Sequence, residues 1–241
     1  MSTQPLFYKK IVPLNKDQHH NLYVEPVKDF NHTKETNSLY IAAVEFLKAC
    51  KEYPIVFAKS PQDDSVFPVV LLGLKGNQNL FVNKKGEWLA NYIPAYVRRY
   101  PFILATDNTD GGNFAVCIDE SYPGFNIDKK GQKLFDKKGV ESKLLQQSLE
   151  FLKDYQSQIQ LTNLFCKTLN ELDILEPMQA NIEIKGGEKL SLAGFMGVNR
   201  SKLKAIKPDK LAELVKTDQL ELIYAHLGSL DNINKLMALF N

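Results

Sequence analysis

Hydrophobic and polar positions along the chain change their period several times, and each change marks an element. From Ser38, the residues Leu39, Ala42, Ala43, Phe46, Leu47 and Cys50 recur at three- and four-residue spacing. That spacing predicts a helix with one buried face, with Ser38 placed to cap its start. Pro54 keeps Tyr53 out of helical geometry, so the helix ends before it. The pattern then shortens into β-branched runs at 55–58, 66–74 and 79–82, divided by turn-rich stretches at 60–65 and 75–78. An antiparallel meander is the economical reading. Upstream, residues 21–27 read as a short strand, with Pro26 suited only to an edge or a strand end. Residues 88–100 predict a short helix entered near Pro94. Residues 102–106 and 113–118 predict strands joined hairpin-fashion across 107–112.

Neither Gly nor Pro occurs between Gly139 and Pro177. Within that stretch Leu145, Leu149, Leu152, Ile159, Cys166, Leu169 and Leu172 fall largely on one face, with Tyr155 and Phe165 beside it. The pattern predicts a helix of about 30 residues, with a break admitted near 157–161. Residues 180–185 and 189–193 alternate across Gly186-Gly187 and predict a hairpin. Beyond them Asn199 and Ser201 offer caps and Pro208 suits a first helical position. Asp218 and Glu221 form a capping-box-like start, Gly228 can close that helix, and Ser229 can cap a last one running to Phe240. Strands that follow one another without intervening helices argue against a doubly wound sheet. The predicted class is α+β: an antiparallel strand-rich centre, a long helix, a second small hairpin and C-terminal helices. A mixed, strand-rich part over 1–140 and a mainly helical part over 141–241 are expected, with one continuous domain left open. Pro177 is a further candidate boundary.

Composition narrows the function classes. The 241 residues are 44% hydrophobic and 24% charged, enough for one substantial core or two small ones. A net charge of +2 leaves no bulk drive toward nucleic acid or anionic membrane, so no nucleic-acid partner is expected. No apolar run approaches the roughly 20 residues that span a bilayer. The first residues lack the basic start and apolar stretch of a secretory leader, so the expected location is cytoplasmic, with surface association by another route left open. Cys50, Cys117 and Cys166 are far apart among apolar neighbours and read as buried free thiols.

The sequence carries few catalytic signatures. Nucleotide-binding glycine fingerprints, the Gly-x-Ser-x-Gly elbow and His-Glu-x-x-His are absent. His19, His20 and His32 lie in polar loops, and His226 reads as a packed helix residue. No metal or cofactor is expected. The adjacent carboxylates Asp63-Asp64 and Asp119-Glu120 read as solvated turns. Three related tetrapeptides, 83–86, 128–131 and 136–139, each run Asx-Lys-Lys-Gly. They read as turns with glycine in the left-handed position, and their lysines as solvated tips rather than a nucleic-acid patch. One segment stands apart. Asn79, Trp88, Tyr92, Tyr96, Arg98 and Arg99 concentrate the only Trp, several Tyr and two adjacent Arg within about 20 residues. Aromatics with an Arg fork can hold a planar or anionic ligand. The same set equally suits a core corner in which guanidiniums tie off strand carbonyls.

These residues also carry a resemblance. Glu45-Phe46, Tyr-Pro-Ile-Val-Phe at 53–57, Leu-Leu-Gly-Leu at 71–74 and Asn-Leu-Phe-Val at 79–82 form its first half. Tyr-Ile-Pro-Ala at 92–95, Arg-Arg-Tyr-Pro-Phe at 98–102, Leu-Phe-Asp at 134–136 with Gly139, and Ser229-Leu230 with Leu236 complete it. The chain resembles the SapC-like family of bacterial proteins, named after a surface-layer-associated protein, over nearly its whole length. The resemblance implies a non-catalytic binding or accessory protein with a small ligand or a protein partner, and an oligomer is left open. Its family label offers a surface-layer component as the alternative, and an enzyme of unrecognised type is the third reading. It supplies no catalytic residues. A peptide-uptake permease of the same short name is excluded by the want of spanning segments.

Overall fold

The computed structural model describes residues 5–106, 114–183 and 189–240. Its strands are β1 (Ile11–Pro13), β2 (Tyr23–Val24), β3 (Ser38–Tyr40), β4 (Ile55–Lys59), β5 (Val66–Leu71), β6 (Phe102–Thr106), β7 (Phe114–Asp119), β8 (Phe125–Asn126), β9 (Gln132–Lys133), β10 (Leu175–Glu183) and β11 (Lys189–Val198). Its helices are α1 (Lys16–His19), α2 (Phe46–Ala49), α3 (Ala95–Arg98), α4 (Lys143–Glu171), α5 (Arg200–Lys204), α6 (Pro208–Lys216), α7 (Gln219–Ser229) and α8 (Ile233–Phe240). They form an α+β fold. A five-stranded sheet runs β10-β11-β4-β5-β3, and two three-stranded sheets run β1-β7-β6 and β8-β2-β9. All pairs are antiparallel.

Helix α4 is the spine. At roughly 1.5 Å per residue its 29 residues extend about 44 Å. Leu145 and Leu152, in its first half, pack with Tyr8, Tyr100, Ile118 and Leu134 in one core. Phe165, Cys166 and Leu169, in its second half, join Phe46, Phe57 and Val70 on the five-stranded sheet, which α7 also covers. Ser142 caps its start through the Leu145 amide at 3.3 Å. The helix is continuous through 157–161. Ser157 and Thr162 turn their hydroxyls back to the carbonyls of Lys153 and Gln158, a local competition with the helix that the burial of its face outweighs. Among the described residues no helix is long and apolar enough to cross a membrane.

Several expectations are corrected. The helix predicted from Ser38 starts later: residues 38–40 pair with Leu71, Val70 and Val69, and the chain turns helical only at 43–49. Leu39 is buried under either period, so its spacing did not discriminate. Residues 79–82 form no strand; Val82 makes a single bridge to Trp88. The late hairpin is longer than predicted, since Pro177 pairs with Met196 inside β10 and a register shift follows Met178. Strand β10 is an edge strand, where a proline is tolerated because only one side of the strand has a ladder to complete. Asp218 makes no side-chain cap, having a φ of 57°, and α7 runs through Gly228. Ser229 caps nothing. Its hydroxyl accepts from the Ile55 amide and donates to the His226 carbonyl. Asn199 and Pro208 begin α5 and α6 as expected. The connections at 107–112 and across Gly186-Gly187 lie outside the described residues.

The lysine-bearing turns follow the expected chemistry at two of three sites. Asn83 Oδ1 accepts from the Lys85 and Glu87 amides, and Asp136 Oδ1 from those of Lys138 and Val140. At the third, Asn126 rather than Asp128 supplies the oxygen, to the Lys130 amide. Lys129, Lys130, Lys137 and Lys138 are exposed.

Candidate binding site around residues 92–102

The segment that concentrates aromatics and arginines is built on a buried carboxylate. Glu45, 4% exposed, accepts from the Ala42 amide at 2.9 Å through Oε2. Its Oε1 accepts from the Ala95 amide and the Tyr92 hydroxyl, both at 2.7 Å. The Ala95 bond satisfies an otherwise orphaned donor at the start of α3, whose entry Pro94 has set. Tyr53 secures the other end of this stretch. Its hydroxyl donates to the Tyr92 carbonyl and accepts from Trp88 Nε1 at 2.8 Å. Asn91 is tied to Glu52, which Lys235 also pairs.

On this frame the two arginines diverge, as neighbours on a helical turn must. Arg98 is exposed. Its Nε donates to the Ile93 carbonyl at 2.9 Å, and its guanidinium carbon lies 5.1 Å from the Phe151 ring centroid and 5.8 Å from that of Tyr92. It borders a groove of about 330 Å³ shared with Val44, Lys48, Asp154 and Tyr155. Arg99 turns inward. Its guanidinium sits 3.8 Å from the Tyr96 ring centroid, with Tyr8 and Tyr155 at 5.6 and 5.7 Å, and its buried Nε has no hydrogen-bond partner. Burial pushes the Tyr8 and Tyr155 hydroxyls well above the usual phenol range, so both stay protonated beside the cation. The adjacent arginines thus differ in setting: Arg98 borders the groove and bonds a carbonyl, whereas Arg99 packs among tyrosine rings.

The other candidates serve the frame. Asn79 clips the 31–36 turn, its Nδ2 donating to Thr33 Oγ1 at 3.2 Å and its Oδ1 accepting from the Phe81 amide. Trp88 meets Phe30 edge-on at 5.6 Å, and the Tyr96 hydroxyl accepts from the Leu6 amide at 3.1 Å. The structure therefore brings Tyr92 and Arg98 together at a groove, with Tyr96 and Arg99 behind it and Asn79 and Trp88 elsewhere in the frame. Lys48, Phe151 and Asp154 of the groove went unread, and Glu45 entered only through the resemblance. Phe151 and Tyr155 lie four apart on a long helix, and that spacing was the available signal. Among the described residues no group of three His, Cys, Asp or Glu side chains is placed to hold a metal ion.

The family model of SapC matches residues 14–236. The chain belongs to the SapC family. That match takes in the frame just described except Leu6 and Tyr8, which precede residue 14. No curated protein and no solved structure matches this SapC chain.

Proposed function

We propose that this SapC-family chain is a non-catalytic binding or accessory protein, and that the groove at Arg98 receives an anionic group of its ligand or partner. The observation that carries the reading is Arg98 itself. Its Nε is pinned to a carbonyl while its guanidinium stays exposed between two aromatic rings, a pre-organised fork for a planar anion. Lys48 adds a second exposed cation to the groove. Glu45 and Asp154 also line the groove, so the attraction for an anion rests on the Arg98 fork and its geometry rather than on net charge.

Two buried acid–base groups, Asp119 and His226, support a non-catalytic role. Asp119 is fully buried and accepts from the amides of Lys9, Lys10 and Ser121 and from the Ser121 hydroxyl. Burial pushes its pKa up, but those hydrogen bonds outweigh it and hold the carboxyl below its usual value. His226 has both ring nitrogens bonded to backbone. Such saturated groups have no proton to exchange with a substrate.

The test is a calorimetric titration with phenyl phosphate, an aromatic anion. Arg98→Ala is expected to weaken binding about tenfold or more, with Arg98→Lys intermediate, since a charge-assisted hydrogen bond contributes roughly 1.5–3 kcal/mol. The melting temperature should hardly change, because Arg98 is exposed. Equal binding by wild type and Arg98→Ala, or turnover of the probe, would sink the reading.

A further inference from the structure

A separate and larger cleft, of about 550 Å³, opens between the N-terminal segment, the 25–32 loop and the 121–124 turn. Its volume lies within the roughly 300–1,000 Å³ of small-molecule sites. Aromatic rings in fixed orientations form much of its wall. His32 stacks on Tyr100, with centroids 4.4 Å apart and planes 21° apart, and Phe7 meets His32 edge-on at 5.4 Å. Tyr122 meets Tyr100 edge-on at 5.3 Å. The Tyr122 ring lies against Gly124, where an added Cβ would come within 2.4 Å of it, so a side chain there would displace the ring. Burial lowers the pKa of His32, so its imidazole is neutral at pH 7 and serves as a π surface rather than a cation.

The polar groups of the wall narrow the ligand further. The Tyr122 hydroxyl donates to the Glu25 carbonyl at 3.0 Å, and the Ser121 hydroxyl donates to Asp119 at 2.6 Å. Both protons are spent, which leaves these oxygens able only to accept. The rim carries Lys9 and Lys28 against Glu25 and Asp29, so it selects for neither sign of net charge. The Asp29 carboxylate is already committed to the amide and side chain of Asn31, both at 2.7 Å. We infer that this cleft binds an uncharged planar aromatic molecule of one or two rings that carries an N–H or O–H donor. The inference stands independently of the Arg98 groove.

The test uses 2-naphthol and two matched probes, 2-methoxynaphthalene without the donor and 2-decalol without the aromatic rings. Binding is followed by NMR shifts of the Gly124 amide and the His32 ring. 2-Naphthol is expected to bind, and each matched probe to bind about fivefold or more weakly, the equivalent of one hydrogen bond or one aromatic contact. Pro123→Trp and Lys28→Trp, both at exposed rim positions, should each block the cleft and abolish the shifts while leaving the melting temperature in place. Absence of 2-naphthol binding at millimolar concentration overturns the inference. So does equal affinity for 2-decalol or 2-methoxynaphthalene, and so does 2-naphthol binding that survives in both folded tryptophan variants.

Discussion

His226 shows how a single buried side chain can set the pH range of the fold. Its ring is fully buried against Phe57, with Nε2 accepting from the Val198 amide at 3.0 Å and Nδ1 donating to the Ile55 carbonyl at 2.8 Å. Only the neutral ring can do both. Burial accordingly pushes its pKa down to about 4, against a usual value of 6.5. Between those values the unfolded chain takes up a proton that the folded chain refuses. Stability contributed by His226 is therefore complete above about pH 6.5 and is lost as the pH falls toward 4, by about 3 kcal/mol across the window. Urea unfolding at pH 7.5 and 4.5 should show this loss in wild type. His226→Gln, which keeps one acceptor and one donor without titrating, should show a smaller one. Equal losses in the two proteins would rule His226 out as the cause.

At the scale of elements, one hydroxyl supplies the hydrogen bond between α4 and the turn leading into α2, beside the packing of Phe46 on Phe165. Thr162, fully buried, accepts from the Ala43 amide at 2.9 Å while donating to Gln158. Thr162→Val keeps the shape and leaves the Ala43 N–H buried without a partner, a cost of about 1–3 kcal/mol. Thr162→Ser should recover most of it. Chemical denaturation checks the energies, and hydrogen exchange should show the Ala43 amide losing protection in the Val variant alone. Such a contact, spanning 119 residues, cannot be read from a local pattern. What could be read was α4 and the late hairpin, periodic because one face is buried more than the other. Strands β4 and β5 were legible as continuous apolar runs, because successive residues are buried on both faces. Residues 38–50 misled because Leu39, Ala42, Ala43 and Phe46 are buried in a strand, a turn and a short helix that together imitate one helical stripe. Ser229 looked like a cap, but its hydroxyl is held by a strand 174 residues away. The candidate segment was visible as a concentration of Arg and aromatics, whereas the different settings of Arg98 and Arg99 depended on helical phase. The aromatic cleft was hidden because His32, Tyr100 and Tyr122 come from three separate stretches of chain.

Over the whole molecule, we predict that residues 1–140 and 141–241 fold as one unit. Strand β4 lies between β5, from the first part, and β11, from the second. Its first residue, Ile55, has its amide held by Ser229 and its carbonyl by His226. Asn232 further donates to the carbonyls of Cys50 and Tyr53. Truncation after residue 140 would strip these partners. It would also expose Ile55, Val56 and Phe57, each worth roughly 1.5–3 kcal/mol when buried, and remove Leu145 and Leu152 from the second core. A net stability of about 5–15 kcal/mol cannot absorb such losses. Fragment 1–140 is therefore expected to show no cooperative unfolding transition. In the full chain the single Trp88 sits in the first part and reports on it by fluorescence, whereas far-ultraviolet circular dichroism is dominated by α4 and the C-terminal helices. The two signals should give one urea midpoint. Separate midpoints, or a fragment 1–140 that melts cooperatively, would instead establish two domains meeting along β4 and β11.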